Sequence, residues 1–233
     1  MATRPVFIPC LEGNTYVTTH LVEFEWFAGM ATSQKQKSIA ALHQSAQMQL
    51  GLTRLLEISS KSQQLAGIEL SAFNLTFTTV KPQITMSVEC AFQGSKVFEN
   101  GGPYMDLFHA TSREAKKDPR LQDSGRLTAF SFFGSTWPLE PQTVFYDWLY
   151  LNALHKNPAL VEVVLLQQGF TDIEFNPKKS INCQAYSAAL YASLAKRGLL
   201  TELLNNQQTF LQAAGAATIN NAHEDQTVQS SLF

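Results

Sequence analysis

Glu89, Gln93 and Lys96 are the residues whose types and spacing most directly suggest chemistry. The run Ser87-Val88-Glu89-Cys90-Ala91-Phe92-Gln93-Gly94-Ser95-Lys96 reads as a helix, and at about 100° per residue the three polar side chains fall on one narrow strip. Val88, Ala91, Phe92, Ser95 and Phe98 form a stripe facing a core at spacings of three and four. Glu89 stands where strip and stripe meet, as a residue at the rim of a pocket would. A carboxylate there can take or give a proton during catalysis, and Lys96 reaches the same ligand if its side chain folds back. The plainer alternative is a Glu in the first turn offsetting the helix dipole and a solvated Lys two turns on.

The elements that must position this strip follow from periodicity and punctuation. Residues 15–28 alternate and are rich in β-branched and aromatic types, which predicts a strand. A helix capped by Ser33 is expected to run to about Gln49, stopped by Gly51, and Leu55 to Ser59 reads as a second strand. Ile68 to Val80 reads as a strand with a break. The Ser87 helix should end at Asn100-Gly101-Gly102-Pro103, and Ser112 should cap a short helix that stops before Pro119. Further helices are expected over Thr143–His155, over Pro158–Gln168 closed by Gly169, over Cys183–Arg197 closed by Gly198, and across 200–214. The expected fold class is α+β, predominantly helical, with a few short strands mostly N-terminal. The expected organisation is an N-terminal extension or subdomain over 1–54, a main domain over 55–215, and a flexible polar tail over 216–233.

Composition excludes several classes. Hydrophobic residues make up 45%, aromatics 11% and charged residues only 15%, the reverse of a disordered chain. No apolar run approaches the ~20 residues of a membrane helix, so no membrane contact is expected. The first residues lack the apolar core of a signal peptide, and the three cysteines are far apart, so the expected location is the cytoplasm. A net charge of −2 means that bulk charge alone does not recruit nucleic acid. Phosphate-loop, His-Glu-x-x-His, Cys-x-x-Cys and Gly-x-Ser-x-Gly patterns are all missing and the five His are scattered, so neither a metal nor a cofactor is expected.

Leu70-Ser71-Ala72-Phe73 followed by Ser87-x-Glu89-Cys90-x-x-Gln93-x-x-Lys96 resembles the NADAR (YbiA-like) family, whose hallmark is Leu-Ser-Asn-Phe and then Ser-x-Glu-His-x-x-Gln-x-x-Lys. Trp137, the stretch from Phe145 to Leu166 with Asn152, Lys156, Asn157 and Pro158, and Ser180 to Ala185 resemble later family segments in the same order. The resemblance covers roughly residues 55–197. Phrases such as Val97 to Tyr104 and Phe175 to Asn182 are most similar to the NADAR antitoxins paired with DarT-type toxins, which ADP-ribosylate guanine in DNA. The resemblance therefore implies an antitoxin, an ADP-ribosyl hydrolase (N-glycosidase) that strips ADP-ribose from guanine in DNA. ADP-ribosylated DNA or ADP-ribose and a cognate toxin would be its partners. Two alternatives stand beside it: an N-glycosidase of a ribosylamino pyrimidine of riboflavin synthesis, and a module that binds ADP-ribose or the toxin without turnover.

That chemistry assigns expected roles. Glu89 would move a proton at the ribose, and Lys96 would attack an opened sugar as a Schiff-base amine or act as a charge partner. The diphosphate would be held by Ser60, Lys61 and Ser62, or by Lys178 and Lys179. Phe73, Tyr104 and Trp137 are candidates to stack on a base. Gln93 shares the Glu89 strip, and Asn182 would hold a ribose hydroxyl or cap a helix. Ala72 and Cys90 replace the hallmark Asn and His. The family's Asp-x-x-Trp-Gly is missing, leaving Asp172 or Glu174 as substitutes. Arg113, Lys116, Lys117 and Arg120 could meet DNA phosphates or simply line a solvated helix face.

Overall fold

The computed structural model describes residues 1–176 and 181–214. The chain runs β1 (Ala2–Pro9), β2 (Val17–Phe24), α1 (Thr32–Leu50), β3 (Leu55–Glu57), α2 (Leu65–Glu69), β4 (Thr76–Thr78), β5 (Thr85–Ser87), α3 (Val88–Gly94) and β6 (Lys96–Phe98). After a 3-10 turn at Met105–His109 come α4 (Ser112–Lys117), α5 (Arg120–Asp123), β7 (Leu127–Phe132), β8 (Ser135–Trp137), α6 (Val144–His155), α7 (Pro158–Leu166), β9 (Gly169–Thr171), α8 (Gln184–Lys196), α9 (Leu200–Asn205) and α10 (Gln207–Ala213). With 45% helix and 20% strand the fold is mixed α+β. The strands are not gathered at the N-terminus: β6 to β9 lie between residues 96 and 171. The expected tail over 216–233 lies outside the described residues.

The largest sheet has the order β2-β1-β9-β3. β1 pairs antiparallel with β2 from Ala2↔Phe24 to Pro9↔Val17, β9 pairs antiparallel with Val6 and Phe7, and β3 runs parallel to β9. The alternation of this sheet separates two cores. Val6, Val22, Phe24 and Leu55 pack with Ile39, Leu42 and Ala46 of α1. Phe7, Val17, Leu56 and Phe170 join the main core with the fully buried alanine-rich face of α8. β1 escapes a reading by pattern because Pro5 and Pro9 look like strand breakers. Both fall outside the stretch that β9 pairs, so their missing N–H groups break no bond there. Gly169 opens β9 rather than closing a helix; a Cβ there would meet Leu55 Cδ2 at 2.9 Å, so a larger residue would have to displace that side chain.

Two local structures place the later site. α1 does end at Gly51, whose φ of 69° and N–H bond to Gln47 O form the left-handed cap. Its N-cap is Ala31 with no side-chain bond, so Ser33 sits inside the helix instead. Ser87 caps α3 by accepting from Cys90 N at 3.1 Å. The expected continuation of this helix to Lys96 does not occur. α3 stops at Gly94, where the Phe108 ring lies 2.6 Å from the position of a Cβ, and Ser95 Oγ turns back to Ala91 O at 2.7 Å. Lys96, Val97 and Phe98 then pair with β7, because β-branched and aromatic residues gain more as a half-buried strand. Lys96 therefore leaves the helical strip that carries Glu89 and Gln93. Thr111, not Ser112, caps α4 through a capping box with Glu114. Ser112 is freed to donate to Phe73 O at 2.7 Å and to accept from Ser87 Oγ at 2.8 Å, tying α4 to the start of α3.

Candidate active site

A cavity of about 480 Å³ opens beside α3. Glu89, Phe92 and Gln93 of α3 form one wall, and Asp172, Glu174 and Phe175, from the loop after β9, form another. Ser59, Ser60, Ser71, Ala72, Phe73, Lys116, Tyr146, Ile181, Asn182 and Gln184 complete the lining. Gln184 staples the two loop segments: its Nε2 donates to Ile58 O at 2.8 Å and its Oε1 accepts from Ala72 N at 2.8 Å. Glu89 N donates in turn to Ala72 O at 2.9 Å, which fixes α3 to the same loop. Ala72, where the family hallmark has Asn, thus contributes backbone and a methyl wall. Cys90 points away from the cavity and donates to Ala110 O at 3.2 Å.

Glu89 is 6% exposed, and its Oε1 accepts from Gln93 Nε2 at 2.9 Å. Lys116 Nζ lies 3.9 Å from the same oxygen and 5.0 Å from the centroid of the Phe73 ring. Lys96 Nζ sits 5.0 Å from the Phe92 centroid. Burial lowers the Lys96 pKa; the Glu89 charge opposes that shift and Lys116 adds to it. Among the described lining residues Lys116 is the only Lys or Arg, against the carboxyls of Glu89, Asp172 and Glu174.

The wall after β9 is built differently. Asp172 Oδ1 accepts from Glu174 N at 3.0 Å and Phe175 N at 3.1 Å. Burial, and then the neighbouring Glu57, push its pKa well above the ordinary carboxyl value. Glu57, itself 2% exposed, accepts from Thr171 Oγ1 at 2.6 Å and Ile173 N at 2.8 Å, so it anchors the loop that carries Asp172. With the Thr171 proton on Glu57, the His43 Nε2 contact to Thr171 Oγ1 at 2.9 Å must be donated by the imidazole. Burial lowers the His43 pKa to about 4, which agrees with a neutral ring.

Of the residues singled out by sequence, Ser60, Phe73, Glu89, Gln93, Asp172 and Asn182 line the cavity together. Lys96 stands behind Phe92 and is not among the lining residues. Lys61 is not either; its N–H turns to Ser59 Oγ, and Ser62 is buried as the acceptor for Gln64 N. Tyr104 bonds Ser124 through its hydroxyl and carries the Arg120 guanidinium over its ring at 4.4 Å, away from the cavity. Trp137 is 1% exposed and packs among Phe145, Trp148 and Phe210 in the core. Lys178 and Lys179 lie outside the described residues. Within the basic run, Arg120 is held by Asp106 and Asp118, while Lys116 turns to the cavity. Sequence reasoning missed Glu57 and Tyr146 and placed Lys116 on a DNA-phosphate face or a solvated helix face, not at the cavity. The signal for Lys116 was its place one turn after Ser112, whose bond to Phe73 aims α4 at the cavity.

Among the described residues, no group of three or more His, Cys, Asp or Glu could hold a metal ion, and no helix is long and apolar enough to cross a membrane. A family model described as DarT1-associated NADAR antitoxin matches residues 2–224. No curated protein matches the sequence significantly.

Proposed function

The chain belongs to the family of DarT1-associated NADAR antitoxins, with a DarT-type toxin as the implied partner, and from that premise we propose that it is an N-glycosidase removing ADP-ribose from guanine in DNA. The observation that carries this reading is Glu89. It is a nearly buried carboxylate on a cavity wall, with one oxygen held by Gln93 and an ammonium 3.9 Å away.

The bond to be cut joins the ribose C1′ to the exocyclic guanine amine. In the proposed reaction a water oxygen bonds to C1′ and gives its proton to Glu89 as the C1′–N bond breaks. The departing nitrogen takes a proton from Asp172, whose pKa burial and the neighbouring Glu57 push well above the ordinary carboxyl value. Guanine regains its amine, ADP-ribose carries the new hydroxyl, and solvent returns the proton from Glu89 to Asp172. The imine route through Lys96 is less direct, since its Nζ would have to leave the Phe92 ring and swing into the cavity. Phe73, 37% exposed at the mouth, offers a ring for a base.

The test is turnover of ADP-ribosylated guanosine by the wild-type chain and by Glu89→Gln. The reading expects release of ADP-ribose by the first and not by the second. Tight binding of ADP-ribose without release by the wild type would replace the glycosidase with a binding module.

A further inference from the structure

The N-terminal layer holds a cluster that the reaction above does not use. Trp26, just beyond β2, has the Arg4 guanidinium 5.2 Å and the Lys35 ammonium 4.8 Å from its ring centroid. The two cations come from separate elements, β1 and α1, and converge on one ring. Lys35 Nζ lies 3.2 Å from Glu174 Oε1, and Glu174 lines the cavity, so the cluster abuts the cavity at that edge. Arg4 also feels the charges of Asp172 and Glu174, and its buried Nε finds no hydrogen-bond partner among the described residues. Arg4, Trp26 and Lys35 are each only partly buried, so a ligand can reach them.

The substrate brings the charge that this cluster lacks. The described cavity walls carry three carboxyl side chains and one Lys, so phosphates find few counterions inside. They are met better at an edge where two cations share an aromatic ring. The Lys35–Glu174 pair is half open to solvent on the Glu174 side, and a phosphate can take over as the counterion of Lys35.

We infer that Arg4, Trp26 and Lys35 form a phosphate-binding site at the Glu174 edge of the cavity, which holds a phosphate of the substrate during turnover. The inference rests on the glycosidase reading for its substrate. The phosphate is either the diphosphate of the ADP-ribose adduct or a backbone phosphate of the DNA strand next to it.

Arg4→Gln/Lys35→Gln in the full chain is compared with the wild type on two substrates: ADP-ribosylated guanosine, which carries the diphosphate alone, and a short ADP-ribosylated single-stranded oligonucleotide. The KM should rise about tenfold with kcat unchanged, and salt should weaken binding less steeply than in the wild type. A rise on both substrates assigns the diphosphate, and a rise on the oligonucleotide alone assigns the DNA backbone. Unchanged KM on both, with a native melting temperature, overturns the site. Should the double variant melt early, Lys35→Gln alone is read in the same way. If the wild type turns over neither substrate, the glycosidase reading fails separately. The site is then read by fluorescence anisotropy of ADP-ribose and of an unmodified oligonucleotide: weaker binding of either by the variant supports it, and equal binding of both overturns it.

Discussion

The two walls of the cavity each present a carboxyl group of 6% exposure, yet the side chains set directly beside them differ. Glu89 lies in the first turn of α3 with Gln93 donating to it and with Lys96 and Lys116 nearby. Asp172 directly follows the β9 strand beside another buried carboxyl, Glu57. Cations favour the ionised form and a buried acidic neighbour favours the protonated one. In the proposed reaction the carboxyl on the helix wall accepts a proton and the one beside Glu57 gives it.

The largest effect that can break this contrast comes from substituting each wall in turn. Glu89→Gln should keep the fold and lose turnover by about 10²–10⁴-fold at every pH. Asp172→Asn keeps an oxygen for the Glu174 and Phe175 amides and replaces the acidic hydroxyl with an amide NH2 that cannot protonate the leaving nitrogen, so it should cost about 10²-fold. Its loss should be smaller on a guanine adduct with a more acidic leaving nitrogen, a difference that steady-state rates on the two substrates measure. Equal losses on both substrates would show that Asp172 does not serve the leaving group.

Lys96 sharpens the contrast from the helix side. Borohydride added during turnover, followed by mass spectrometry, should leave the wild-type chain unmodified, with Lys96→Ala retaining part of the activity. A mass increase localised to Lys96 would instead establish the imine route and require its side chain to leave Phe92.

His43 probes the other wall through stability. Its pKa in the fold is about 4, below the ordinary 6.5, so it contributes stability that is present above pH 6.5 and lost as pH falls towards 4. The loss should reach about 3 kcal/mol. Denaturant unfolding of His43→Gln should show that much less dependence on pH across this window than the wild type.

The smallest expected effect is at Asn182. α8 begins at Cys183 as N-cap with no side-chain bond, so Asn182 is not its cap. Asn182→Ala should change stability by no more than about 0.5 kcal/mol while raising KM for the adduct. A stability loss near 1 kcal/mol with KM intact would return Asn182 to a structural role.

The helix wall was readable from local periodicity, whereas Asp172 and Glu174 of the sheet wall were reached only through the family resemblance and their neighbour Glu57 not at all, for a physical reason. Ser87, Glu89, Phe92 and Gln93 lie within one short helix, so local periodicity reveals their shared face. Lys96 misled because a stripe that includes Ser95 and Phe98 continues the period across Gly94, while the actual stop depends on the distant ring of Phe108. Glu57 and Asp172 meet only because β3 pairs with a three-residue β9 more than 100 positions later, a non-local pairing with no periodic trace. Aromatic type alone separated site from core no better: Phe73 reached the cavity, while Trp137 went into the core and Tyr104 to Ser124 and Arg120.

The central claim is that this chain breaks the bond between ADP-ribose and guanine. An ADP-ribosylated single-stranded oligonucleotide is incubated with the wild-type chain in the presence of EDTA, and all products are weighed by mass spectrometry. The account predicts an oligonucleotide with unmodified guanine and one ADP-ribose per adduct, with Glu89→Gln leaving the adduct intact. Persistence of the adduct with the wild type, or release that proceeds equally well in Glu89→Gln, would contradict it.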